Sequence, residues 1–169
     1  LYLKSEGADT NERLVISGGY DERVSENKTY LEDLKNKCED LGLSYDITTL
    51  GSEEDELGDS QVIFMPSIAT DIKNALLSKT DLLMYTPSYE HFGIVPVEAM
   101  KMGKLVLADN TGGPLETVVN YSSNKDSYTG FTVKADAQEW SKTLSFVKSL
   151  PETELETASN RCVARAEST

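Results

Sequence analysis

The chain has 169 residues, 38% of them hydrophobic and 27% charged, the balance of a soluble globular fold with a core of its own. Twenty-nine acids against 16 basic residues leave a formal charge of −13, a field that repels phosphate backbones and argues against nucleic acid as a partner. No apolar run approaches the ~20 residues of a membrane-spanning helix, and no secretory leader opens the sequence, which starts on Leu1 and so fits a mature or truncated piece.

Apolar runs alternate with amphipathic ones, the pattern of an α/β layered fold. A strand is predicted at 13–18 (RLVISG), ending in the pair Gly18 and Gly19. A helix follows over 25–41, with Tyr30, Leu34, Cys38 and Leu41 on one stripe and Gly42 placed as its C-cap. Strands come next at 45–50 (YDITTL) and 61–66 (QVIFMP), separated by the acidic loop 51–60. A helix over 68–78 leads to a strand at 82–87 (LLMYTP), a short helix at 98–102 and a strand at 104–109 (KLVLAD). Pro114 suits the first position of a helix over 114–119. The polar, turn-rich stretch 120–130 precedes a strand at 130–133 (GFTV). A helix over 135–150, with Trp140, Leu144 and Val147 on one face, and a more polar one over 152–168 complete the chain. Several strands are unbroken apolar runs, as parallel strands covered on both faces require. The order of elements implies one doubly wound sheet whose ligands bind beyond the carboxyl ends of its strands. Cys38 and Cys162 match no metal-ligand or redox spacing and read as reduced thiols in a cytosolic setting.

That rule directs attention to Tyr89–Met100, YEHFGIVPVEAM, which holds Glu90 and Glu98 around the only histidine, His91. With a helix starting near Pro96 or Val97, Ser88–Val95 is a strand-to-helix loop. Gly93 permits close backbone approach, and the amides of Ile94, Val95 and Val97 form an anion seat from dipoles rather than side-chain charge. Glu98 then sits in the first helical turn. It reads either as a dipole-complementing acid, worth ~0.3–1 kcal/mol, or as an acceptor for a ribose diol. Glu90 reads equally as a solvated loop acid or as a ligand contact. His91, by type and position, is a packing or hydrogen-bonding residue before it is a base. The turn TGGP at 111–114 is a tight connection whose amides could also line a ligand cleft, and Glu116 is a first-turn acid.

The stretch PSYEHFGIVPVEAMKMGKLVLADNTGGPLE, with the trailing TGFTV, resembles the E-x7-E signature of GT-B glycosyltransferases, in particular the large retaining family 4. With SGGYDERVSEN (17–27) and NTGGPLETV, the likeness extends to the fungal mannosyltransferases of the dolichol pathway that make α-1,3 and α-1,6 linkages. The resemblance implies a Rossmann-like parallel sheet flanked by helices, the C-terminal donor-binding domain of a GT-B enzyme. It implies one such domain over 1–169, without its first strand and without the N-terminal acceptor domain. Glu90 would be the catalytic-site contact to the donor sugar hydroxyls, and Glu98 would hold the nucleotide ribose. Gly93, Ile94 and Val95 would face the diphosphate, with His91 and Phe92 in the same donor loop. Gly18 and Gly19 would form a second close-approach turn, and Pro66, Ser67 and Ile68 would lie beside the base. The donor would be GDP-mannose, with no metal, since the chain has no D-x-D carboxylate pair. The acceptor would be a dolichol-linked oligosaccharide, and the setting the cytosolic face of the endoplasmic reticulum, with membrane contact through segments outside this chain. Family members bring an Arg and a Lys to the donor phosphates from just after the first strand. Here LYLKSEG reads as the tail of the following helix, and Lys4 fits no such motif.

Three rival readings are weighed on the same residues. A dinucleotide oxidoreductase needs G-x-G-x-x-G after an early strand, which SGGYDE does not supply. A pyridoxal-phosphate phosphorylase lacks a recognisable cofactor lysine. A non-catalytic nucleotide-sugar sensor stays open.

Overall fold

A computed structural model describes residues 12–48 and 57–169. The segment 1–7 with Lys4, the last two residues of the strand expected at 45–50, and most of the acidic loop 51–60 lie outside the described residues. The chain divides into two compact units, Leu1–Ala75 and Leu76–Thr169.

In the first unit, β1 (Leu14–Gly18), α1 (Ser25–Leu41), β2 (Tyr45–Ile47) and β3 (Val62–Pro66) precede α2 (Thr70–Lys79), within which the division falls. The three strands are parallel in the order β1-β3-β2, with Leu14 opposite Val62 and Gly18 opposite Pro66. As the middle strand, β3 is covered on both faces, and Val62, Ile63, Phe64 and Met65 are buried. That is why its sequence is apolar without alternation. Helix α1 lays Leu31, Leu34 and Cys38 toward Val62 and Phe64, with Leu14, Ile16, Leu43 and Tyr45 around them. Tyr30, expected on that stripe, is 66% exposed instead. At 100° per residue the seam runs through positions 31, 34 and 38, and Tyr30 lies one step off it. Gly42 ends the helix at φ 68, where the Leu43 amide reaches the Cys38 carbonyl at 2.9 Å.

The second unit contains β4 (Leu82–Tyr85), α3 (Ile94–Lys101), β5 (Leu105–Asp109), α4 (Pro114–Thr117), β6 (Gly130–Val133), α5 (Ala137–Lys148) and α6 (Glu152–Glu167). Its sheet is parallel in the order β4-β5-β6. All five residues of the middle strand β5 are buried, Asp109 included. Leu105, Val106, Leu107 and Ala108 share a core with Ala99 and Met100 of α3, Phe131, Trp140 and Cys162. Each large aliphatic side chain so buried stabilises the fold by about 1.5–3 kcal/mol. Asp136 starts α5 by accepting the Gln138 and Glu139 amides at 3.0 and 3.1 Å. Trp140 is buried with Leu144 and Val147 on the face expected, and its indole donates to the Lys134 carbonyl at 3.0 Å.

Among the described residues, two three-stranded parallel sheets therefore stand where element order implied one sheet. Alternating strands and helices dictate parallel crossovers, but they do not dictate which strands pair across successive groups.

Candidate functional site

At the carboxyl ends of β1 and β3 the first unit brings four of the expected residues together. Gly18 is in register with Pro66, and the Ser67 amide donates to the Gly18 carbonyl at 2.8 Å. The Tyr20 amide donates to the Ser67 hydroxyl, which in turn donates to the Tyr20 carbonyl, both at 2.8 Å. Ser67 adopts φ 51 and is exposed, a conformation that persists only where surrounding bonds over-determine it. A β-carbon on Gly18 or on Gly19 would meet no atom within 4 Å. Packing within the unit therefore does not demand glycine at either position.

The second unit holds the two glutamates. Helix α3 begins at Ile94, earlier than the sequence indicated, with Gly93 as its N-cap at φ 75. Glu98 consequently lies in the second turn and not the first, which removes the plain dipole-complementing role. Pro96 falls at the third helical position, where its missing N–H would have had no intrahelical acceptor. The Val97 amide comes at the position where the ladder first supplies an acceptor, the carbonyl of the cap residue. The amides of Ile94 and Val95 carry no side-chain cap, so the anion seat expected from the sequence would contract to Gly93, Ile94 and Val95. A β-carbon on Gly93 would meet Tyr85, Pro96 and Pro114 only at 3.5–3.7 Å. Conformation, more than crowding, calls for glycine there.

Glu90 and Glu98 are both partly exposed, while His91 is exposed. The Glu90 carboxylate accepts its neighbour's amide, from His91, at 3.1 Å. Burial pushes the Tyr85 phenol up, and the charge of Glu90 adds to that rise. Tyr89, Phe92 and Ile94 are 80%, 50% and 64% exposed, so the loop presents apolar surface on either side of the acid.

The loop is fixed from beneath by the TGGP turn and by Asp109, an acid not singled out from the sequence. The Gly113 amide donates to the Glu90 carbonyl at 2.6 Å, and the Tyr89 amide donates to the Thr111 hydroxyl at 2.9 Å. Thr111 in turn donates to the Asp109 carboxylate at 2.6 Å. Tyr89 sits at φ 59 and Gly112 at φ 64. A β-carbon on Gly112 would collide with the Glu90 carbonyl oxygen, and one on Gly113 with the Phe92 carbonyl. TGGP is thus the floor of the loop that carries Glu90. The signal for Asp109 is an acid closing an otherwise wholly apolar strand. It is only 2% exposed, and the hydroxyls of Ser88 and Thr111 hold its carboxyl below the usual range against the opposing effect of burial.

Comparison with known proteins adds an independent line. The model of a family described as glycosyl transferases group 1 matches residues 52–163. The chain is 52% identical over 131 residues to the alpha-1,3/1,6-mannosyltransferase ALG2 of Candida albicans, covering 77% of this chain and 29% of that protein. It is 48% identical over 145 residues to ALG2 of Candida glabrata, covering 79% of this chain and 32% of the relative. The chain thus spans about a third of the length of the curated relatives it matches. Among solved structures, Anabaena Alr3699/HepE in complex with UDP and glucose superposes with a TM-score of 0.70 at 24% identity, over 92% of this chain and 36% of that one. The C-terminal domain of the glycosyl transferase group 1 family protein LpcC from Francisella tularensis matches with a TM-score of 0.66 at 15% identity, over 93% and 85%. At these identities the structural likeness concerns the fold alone.

Proposed function

The chain belongs to the group 1 glycosyl transferase family, and from that premise we propose that it is the donor-binding half of a mannosyltransferase acting on GDP-mannose. The fold is that of a GT-B C-terminal domain, parallel sheets flanked by helices. In this reading mannose passes to a dolichol-linked oligosaccharide with retention of configuration, at the cytosolic face of the endoplasmic reticulum. Among the described residues no helix is long and apolar enough to cross a membrane, and membrane contact is assigned to other segments of the full-length protein.

The observation that carries the reading is the start of α3, where Gly93 turns the backbone and the Ile94 and Val95 amides are left without a side-chain cap between two glutamates. A diphosphate gains there from partial charges fixed before it arrives, so the departing nucleotide is stabilised without reorganisation. This is how a strongly acidic chain holds an anion, and the scheme needs no metal. Glu90, at the loop end, accepts hydrogen bonds from the sugar hydroxyls and orients the reacting carbon, with His91 and Phe92 beside it. Glu98, one helical turn in, accepts the ribose hydroxyls. Gly18 and Gly19 allow close approach of the donor, and Pro66–Ile68 flank the base.

Calorimetric titration of the full-length protein with GDP, UDP and NAD tests the reading. GDP is expected to bind most tightly. A preference for UDP would move the enzyme to another sugar donor, and a preference for NAD would overturn the glycosyl-donor site.

A further inference from the structure

We propose that Asp109 and Thr111 are positioning residues for the reaction, holding the backbone of the loop that carries Glu90. The inference rests on the reading of Glu90 as the donor-sugar contact.

The starting observation is a buried carboxylate with no place in the donor grip. An acid at the end of an apolar strand is costly to bury unless it is hydrogen-bonded, and Asp109 is only 2% exposed. One of its hydrogen bonds leads outward to the loop by way of Thr111. Thr111 donates to the Asp109 carboxylate at 2.6 Å, which leaves the hydroxyl oxygen lone pairs free to accept the Tyr89 amide at 2.9 Å. The carboxylate therefore orients the hydroxyl, because a hydroxyl committed to an anion cannot turn its proton toward Tyr89. The hydroxyl of Ser88, the residue before Tyr89, also favours the charged form of Asp109.

The residue being held is strained. Tyr89 sits at φ 59 without being glycine, a costly conformation that survives only where neighbours over-determine it. Here it is fixed on one side by the Thr111 hydroxyl and on the other by the Gly113 amide, which binds the carbonyl of Glu90. Relaxing Tyr89 would rotate the following peptide and swing Glu90 away from its present direction. Displacements of ~1 Å at a positioning group are enough to slow catalysis on the order of 100-fold.

The test is steady-state kinetics of the full-length protein with GDP-mannose for wild type, Thr111→Val, Thr111→Ser, Asp109→Asn, Glu90→Ala and the Glu90→Ala/Thr111→Val pair, with urea unfolding to count folded enzyme. Thr111→Val is expected to lower kcat by on the order of 10–100-fold while KM for GDP-mannose stays within about 2-fold. Thr111→Ser, which keeps the hydroxyl, is expected to restore kcat, and Asp109→Asn to fall between the two. Adding Thr111→Val to Glu90→Ala is expected to slow the enzyme little further, because both act through one carboxylate. Wild-type kcat per folded molecule in Thr111→Val, equal losses in Val and Ser, or losses that multiply in the double variant would each overturn the proposal. Wild-type turnover in Glu90→Ala would instead overturn the role of Glu90 itself.

Discussion

Glu90 and Gly113 are bound backbone to backbone, the Gly113 amide meeting the Glu90 carbonyl at 2.6 Å. A turn 23 positions further along the sequence thereby becomes the support for the acid loop, and the glycines of TGGP are needed for contact more than for flexibility. Gly112→Ala and Gly113→Ala each drive a β-carbon into a loop carbonyl. Both are expected to lower unfolding free energy by about 1–3 kcal/mol, measured by urea denaturation. Unchanged stability in both would mean that the loop and its floor are not packed as described.

Gly18→Ala and Gly19→Ala make the opposite case. Nothing lies within 4 Å of either new β-carbon, so stability should move by less than about 0.5 kcal/mol. A loss of donor affinity in these variants, read by GDP calorimetry, would then report close approach of the ligand itself. Undiminished GDP affinity in both would remove the pair from the donor site.

The two glutamates should separate kinetically. Glu90→Ala is expected to lower kcat by about 100-fold or more if, as proposed, it holds the sugar near the reacting carbon. Glu98→Ala is expected chiefly to raise KM for the donor, by on the order of 10-fold. Initial-rate measurements over a range of GDP-mannose concentrations distinguish the patterns, and wild-type parameters in both would return the pair to surface acids.

Arg165 on α6 closes the single turn α4 by donating to the carbonyls of Glu116 and Thr117. Those are C-terminal carbonyls that a four-residue helix cannot satisfy internally. Arg165→Met keeps most of the aliphatic stem and removes the charge. It is expected to cost about 1–3 kcal/mol, and hydrogen exchange at 115–118 should accelerate more than in β5. A uniform change across both segments would argue against a local capping role.

Alkaline stability should fall in a defined direction. Burial pushes the Cys162 thiol from 9.0 up to about 12 and the Tyr128 phenol from 10.0 up to about 12. Above pH ~9 the unfolded chain releases these protons while the native chain keeps them. The unfolded state then binds fewer protons, and stability declines as pH rises between ~9 and ~12. Chemical denaturation from pH 8 to 10.5 should show the midpoint dropping, with Cys162→Ala flattening the lower part of the slope. Cys162 should also resist alkylation until the protein unfolds.

The alternation of apolar strands with amphipathic helices was enough to place the start of every strand described here within one residue. β3 and β5 are recognisable as central strands because burial on both faces leaves no polar positions. The Gly42 cap was legible for the same local reason, whereas Asp136 fell inside the helix expected over 135–150 and is its N-cap only in the structure. The start of α3 was not legible either, because Pro96 looks like a first-position residue. Only the left-handed turn at Gly93 moves the helix back to Ile94 and Glu98 into its second turn. Tyr30 and Leu31 exchanged roles because one residue is 100° of helix.

By itself the sequence determined the α/β class, the strand-to-helix connection with one glutamate in the loop and one in the helix, and the family, since these depend on periodicity and on residue types at fixed spacing. Tertiary structure alone decided that Asp109 is buried, that Thr111 relays it to Tyr89, and that Gly113 supports Glu90. Those relationships join β5 and the turn after it to the loop after β4, more than 20 residues apart in Thr111–Tyr89 and Gly113–Glu90. No local pattern encodes a hydrogen bond whose partners meet only when two parallel strands pair.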